Sequence, residues 1–236
     1  MSCIAITSEK IRVCIAYFDR LYGEREAFLS RLFTQKYPKN DKFDEVFFKV
    51  NALNTIYSAG LNNTVRFEWD EQCKTSTVQK NKKQSVDVYE MTGRIVHVKD
   101  CIDDWIRSEN SEDRMKAVIY IACGENKSAE DKRKYYSFAS KYCAWHGVGC
   151  FPIIDTYTKE FVYKANRYGL EINNREYVNK RTDLTRNKLE CYSTFVSEWM
   201  VLYEIIKTAT EGLVCNFKDF DKCMWIYEKC NNYRDR

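Results

Sequence analysis

Histidine is scarce in this sequence: His97 and His146 are the only two among 236 residues, so a metal site built on imidazole is not expected. Proline and glycine are also few, at 2 and 8. That scarcity argues against an all-β or loop-rich chain and for a mostly α fold. No apolar run approaches the roughly 18 residues that span a membrane, and the N-terminal stretch lacks a signal-peptide pattern. The expectation is a cytoplasmic chain with no membrane contact. Cysteine is plentiful, at 11, but the count is odd and no Cys-x-x-Cys pair occurs. Cys14, Cys101, Cys143, Cys191 and Cys215 fall within apolar-periodic segments, which points to reduced, buried thiols. Cys215, Cys223 and Cys230 are too sparse for a zinc or iron–sulfur tail, so neither a metal nor an organic cofactor is expected.

The net charge of +4 permits a polyanionic partner without requiring one. The aromatic content says more. Tyrosine (17), phenylalanine (13) and tryptophan (5) are abundant for a helical chain. Some must be core, while tyrosines beside Lys and Arg suit stacking against nucleic acid.

Taken in order, Ser8 reads as the N-cap of a helix ended by Gly23, and a second helix stops near Pro38. Phe43, Val46, Phe47, Val50, Leu53 and Ile56 follow the helical period of a buried central helix. Asn51, Asn54, Tyr57 and Ser58 gather at its C-terminal end, where polar side chains serve either the loop or a ligand. Val65, Phe67 and Trp69 alternate as in a short strand, and TSTVQKNKKQ reads as a basic surface loop. Three further helices follow, the last with Met115, Val118, Ile119 and Ala122 on one face. The helix YYSFASKYCAWH is expected to bury one side and turn the other to solvent or a cleft. A helix from Asp155 to about Tyr168 stops at Gly169. The polar EYVNKRTDL comes next, then a long helix with Leu189, Tyr192, Phe195, Val196 and Trp199 on its apolar face, and a short final helix. There is no internal repeat and no clear linker, so residues 1–236 read as one unit of two helical lobes.

The most informative stretch is Arg133–Arg167. Asp155 follows the apolar run Phe-Pro-Ile-Ile and opens a helix, where an aspartate caps the free N–H groups of the first turn. It is equally placed to be a catalytic carboxylate held at the mouth of a cleft. FPIIDTYTKEFVYKANR resembles the segment that closes the active site in helix-hairpin-helix DNA glycosylases, where an apolar-Pro-apolar-apolar-Asp-Thr/Ser run carries the catalytic aspartate. FDKCMWIYEK is similar to the Leu-Asp-x-x-x-Trp helix of the archaeal 8-oxoguanine glycosylases, and NALNTIYSAGLNN stands where that superfamily keeps its polar wedge. The superfamily's Leu-Pro-Gly-Val-Gly hairpin is missing, and KSAEDKRKYY occupies its place. In that respect the chain also looks like the Brig-type antiphage glycosylases, which attack heavily modified phage cytosines.

The resemblance implies a two-lobed helical glycosylase fold with a divergent hairpin and an active-site cleft between the lobes. It implies an enzyme that acts as a monomer on double-stranded DNA without a cofactor, flips a modified base and hydrolyses its N-glycosidic bond. The base is a glucosylated hydroxymethylcytosine of phage DNA or, in the alternative, an oxidised base such as 8-oxoguanine. A non-catalytic helical DNA-binding module is the reading from a different class. Asp155 is the catalytic residue. Lys141 is a second-rank nucleophile, because the lysine position of bifunctional relatives falls on Tyr136 or Ser137. Asp221, Trp225, Tyr136 and Ser137 form the base pocket. Asn54, Tyr57, Ser58, Lys132, Arg133, Lys134, Thr156 and Tyr157 are the DNA-binding set.

Overall fold

Helix α1 (Ser8–Arg31) runs straight through Gly23. Ile11, Cys14, Phe18 and Leu29 hold one buried stripe along it, so the apolar period continues across the glycine. A glycine inside a helix costs only about 1 kcal/mol relative to alanine, which that stripe outweighs. The expected break at Gly23 is therefore absent. Termination comes from a wide turn over Leu32–Lys36, where the Tyr37 N–H bonds the Leu32 carbonyl just ahead of Pro38. The N-cap is Thr7 rather than Ser8: Thr7 Oγ1 accepts from Lys10 N at 3.2 Å, while Ser8 N donates to Asn173 Oδ1 at 2.9 Å.

This computed structural model describes residues 3–57, 59, 61, 67–70, 75–78, 86–124, 135–147, 150–178 and 180–234. The chain divides into two compact units, one of Met1–Ala27 with Gly147–Arg236, the other of Phe28–His146. Mostly helical character holds throughout the described residues, and no helix among them is long and apolar enough to cross a membrane.

The second unit contains α2 (Phe43–Tyr57), α3 (Val88–His97), α4 (Lys99–Arg107), α5 (Ser111–Cys123) and α6 (Tyr136–His146), with α2 packed on α3 and α5 on α6. A two-stranded antiparallel sheet joins β2 (Phe67–Asp70) to β3 (Thr75–Val78), so the stretch read as a basic loop contributes a strand. Asp87 caps α3 and Asn110 caps α5, each through a side-chain oxygen accepting a backbone N–H. On α5 the buried face is Ala117, Val118, Ile121 and Ala122, rotated from the expected one. Helix α6 departs furthest from expectation. Every residue from Phe138 to His146 is buried, because its polar members Ser140, Lys141 and His146 go inward as well.

The first unit contains β1 (Ile4–Ile6), most of α1, α7 (Thr156–Tyr168), β4 (Leu170–Ile172), β5 (Arg175–Val178), α8 (Tyr192–Ala209) and α9 (Phe217–Arg234). Its small sheet has the order β1-β4-β5, with Ile4 opposite Leu170 in a parallel pair. Helix α7 ends where expected: Gly169 has φ 102°, a conformation glycine reaches without strain, and its N–H bonds the Ala165 carbonyl. Helices α8 and α9 both pack on the α7 layer's aromatic core. Phe161 meets Phe220 and Tyr227, and Trp199 meets Tyr203, Phe217 and Phe220. The final helix is not short, reaching 18 residues. The ten described cysteines are all free thiols; of the five expected to be buried, Cys14 and Cys143 are, Cys101 is half-buried, and Cys191 and Cys215 are exposed.

Candidate functional site

In the first unit the fold gathers Asp155, Tyr157 and Trp225. Asp155 has extended backbone and caps α7, its Oδ1 accepting from Tyr157 N at 2.9 Å and Thr158 N at 3.0 Å. Thr158 completes the capping box: its Oγ1 accepts from Asp155 N at 2.9 Å and donates to the Ile153 carbonyl at 2.8 Å. Such a cap contributes about 1 kcal/mol, and here it fixes a half-buried carboxylate from both sides of its own backbone. Thr156, exposed, and Tyr157, half-buried, are the first two residues of α7.

From that turn the Tyr157 ring reaches the indole of Trp225, at 5.3 Å between centroids and 75° between planes. Phe18 and Tyr22 of α1 meet the same indole at 5.8 Å and 5.4 Å, each nearly perpendicular to it. The Lys229 ammonium lies 4.2 Å from the Trp225 ring centroid and donates to Tyr22 Oη at 2.9 Å. Asp221, half-buried, stands one turn before Trp225 on α9, and its negative charge acts on Lys218. Lys218 pairs with Glu26 at 3.2 Å, and burial pushes its ammonium down from the ordinary lysine range. Lys222 pairs with Asp19 at 2.7 Å. The α1–α9 seam is thus a line of lysines and rings. Sequence reasoning found Trp225 and Tyr157 but missed Phe18, Tyr22 and Lys229. Their signal was present: Phe18 and Tyr22 are four apart on α1, as Trp225 and Lys229 are on α9.

In the second unit another part of the expected set comes together. Lys141, 6% exposed, donates to Ser137 Oγ at 2.9 Å, and its Nζ lies 5.7 Å from the Tyr57 ring centroid. Tyr136 points elsewhere on α6, its hydroxyl taking a weak bond from Cys123 Sγ at 3.6 Å. Asn54 is 4% exposed and serves the following loop, accepting from Leu61 N at 3.1 Å and donating to the Leu61 carbonyl at 3.3 Å. Ser58, Lys132, Arg133 and Lys134 lie outside the described residues.

One buried network was not anticipated. Lys49 is 0% exposed, and its Nζ meets the Tyr37 carbonyl at 3.0 Å, the Lys39 carbonyl at 2.6 Å, Asn40 Oδ1 at 2.9 Å and His146 Nε2 at 2.9 Å. Asn40 in turn donates to Asp103 Oδ1 at 2.5 Å and accepts from Tyr142 Oη at 2.6 Å. Burial pulls Lys49 down to about 7, opposed by the negative charges of Asp103, Glu45 and Asp41. Burial likewise holds His146 well below its ordinary value, and the Lys49 and Arg107 charges act in the same direction. The sequence signal was Lys49 itself, placed between Val46, Val50 and Leu53 on the apolar phase of α2.

A family model named HI_0787_N and described as an N-terminal domain matches residues 9–148, more than half of the chain. The match takes in the Lys49 network and Lys141 and stops before Asp155. No curated protein and no solved structure matches the chain.

Proposed function

We propose that this chain, which belongs to the HI_0787_N family, is a DNA glycosylase that excises a modified base and leaves an abasic site. The observation that carries the reading is the juxtaposition of a rigid, half-buried carboxylate with an aromatic pair: Asp155 caps α7, and Tyr157 links that cap to Trp225. N-glycosidic cleavage builds positive charge on the deoxyribose as the base departs. A fixed carboxylate beside the sugar stabilises that charge and orients the attacking water. A flipped base has lost its stacking neighbours, and an indole replaces them. Double-stranded DNA is the partner, the protein works in the cytoplasm as a monomer, and no cofactor takes part.

Water is the nucleophile in this reading. Lys141 is nearly buried and hydrogen-bonded to Ser137, which supports a monofunctional enzyme over one that forms a Schiff base. Modified cytosines of phage DNA are the first substrate class and oxidised purines the second. The competing reading is a non-catalytic DNA-binding module, favoured by the two capping bonds that Asp155 Oδ1 accepts, since a cap alone accounts for them.

Incubation with glucosylated phage DNA, oxidised DNA and unmodified DNA, followed by mass spectrometry of the released bases, tests the proposal. A free modified base from one of the first two supports it and selects the class. Binding without release from any of the three would leave only the non-catalytic module. Borohydride is expected to trap no protein–DNA adduct, and a trapped adduct would move the nucleophile to a lysine.

A further inference from the structure

Lys229 is not needed for the proposed function, yet it occupies the surface that function uses. Its ammonium sits 4.2 Å from the Trp225 centroid, hydrogen-bonds Tyr22 Oη at 2.9 Å and lies 5.4 Å from the Tyr22 ring. Phe18, Tyr22 and Tyr157 all meet the indole at 75° to 88°, and none of them lies parallel to it. Trp225, Tyr22, Tyr157 and Lys229 are all half-buried, so the cluster is sheltered without being sealed. A lysine four residues after a tryptophan on a helix does not need to fold over the ring. Tyr22 provides the hydroxyl that holds it there.

We infer that Lys229 is the cation that meets the departing base. The inference rests on the glycosylase reading above and extends it to the leaving-group side of the bond. When the C1′–N bond breaks heterolytically, its electron pair stays with the base nitrogen, and the base leaves as an anion. Water adds to C1′, and its proton passes to the Asp155 carboxylate. The base anion is neutralised afterwards by a proton from solvent. A flipped base stacked on Trp225 lies against the ring that Lys229 now covers. The ammonium therefore either yields the ring or slides to the base edge, where it faces the oxygen and nitrogen atoms on which the negative charge collects. A base that stacks on an indole gains about as much as a partly exposed cation–π contact loses, so the exchange is nearly balanced. What tips it is charge: an ammonium gains more from an anionic base than from a neutral one. Lys229 thus selects bases that carry negative charge well, and it ties the stacking site to the bond-breaking step.

The test uses free halogenated uracils, whose ring N–H ionises at accessible pH, titrated against the full chain with tryptophan fluorescence as the readout and Trp225→Phe as the control. Wild-type affinity is expected to rise by about tenfold as the probe ionises, the size of one charge-assisted hydrogen bond. Lys229→Gln, which has no cation–π contact to give up, should bind the neutral probe at least as well as wild type does and lose the rise, and Lys229→Arg should keep it. An equal rise in wild type and Lys229→Gln would overturn the inference, as would the absence of any signal that depends on Trp225. These outcomes separate from failure of the glycosylase reading itself. A protein that shows the Lys229-dependent rise but releases no base from DNA retains the site and loses the reaction. A protein that releases base, with Lys229→Gln showing no ionisation-dependent loss, retains the reaction and loses this role for the lysine.

Discussion

Lys49 and Lys229 are the same residue type in opposite situations, one in each unit. Lys49 is sealed in, with two backbone carbonyls, an amide oxygen and an imidazole nitrogen within 3.0 Å of its ammonium. Three donors meet four partners there, so nothing is left over for a ligand. Lys229 has one hydroxyl and the face of an indole, and it is partly exposed. Saturation marks the first as architecture: it fastens the turn before α2 to α4 through Asp103 and to α6 through His146 and Tyr142. Incomplete satisfaction marks the second as available. Asp155 lies between the two cases: its Oδ1 is engaged in the cap of α7, and the residue stays half-buried.

The largest effect that separates the two regions is expected at Asp155. Asparagine caps helices about as well as aspartate, so Asp155→Asn should shift stability by less than about 1 kcal/mol. It should nevertheless slow base release by roughly a thousandfold, the scale of losing a preorganised electrostatic group. Single-turnover kinetics beside thermal melts reads both numbers, and a large loss of stability with unchanged kinetics would reverse the assignment.

Lys49→Met is the mirror experiment. It removes the buried ammonium from the Tyr37 and Lys39 carbonyls and from His146 Nε2, and leaves Asn40 Oδ1 with the Tyr142 hydroxyl. A loss of about 3 kcal/mol is expected in denaturant unfolding. Stability equal to wild type would mean that the network is not structural.

Third in size is a pH effect confined to the second unit. The folded Lys49 value, about 7, lies below the ordinary lysine value of 10.5. Between the two, the unfolded chain binds more protons than the folded one, so stability rises with pH. The gain is about 2 kcal/mol between pH 7 and roughly pH 9. His146 is depressed as well, so below about pH 6.5 the unfolded chain gains a proton that the folded one refuses, and stability falls as the solution becomes more acidic. Melting curves across that range should show the upper slope in wild type and lose it in Lys49→Met. An unchanged slope in the variant would place the titration elsewhere.

The smallest effect is expected from Lys229→Gln, which removes a partly exposed cation–π contact and should cost stability less than about 1 kcal/mol in urea melts. A cost comparable to that of Lys49→Met would make the two lysines alike and end the comparison.

The contrast also explains which parts of the molecule could be read from the sequence. Helix α7 was legible at both ends, because an Asp cap and a Gly stop are local chemistry. Helix α2 was legible because Val46, Val50 and Leu53 recur at the helical period, although Lys49 and Asn54 share the buried face. The β1–β4 pair was not, since Ile4 and Leu170 meet across most of the chain and each strand is only 3 residues long. Helix α6 misled because its Lys, Ser and His suggested a wet face, whereas Lys141 and Ser140 bond Ser137 within the helix and His146 meets Lys49 from a distant segment, all in the interior. The same non-locality hid the site's second half. Asp155, Tyr157 and Trp225 stood out as residues, but Phe18, Tyr22 and Lys229 join them only once α1 and α9 are laid side by side.

The central claim is that Asp155 drives release of a base from DNA. Mass spectrometry of bases freed from the panel of modified DNAs, run with wild type and Asp155→Asn in parallel, tests it most directly. The account predicts a modified base released by wild type and none above background from the variant, with both proteins folded. Release of the same base at the same rate by Asp155→Asn would contradict it.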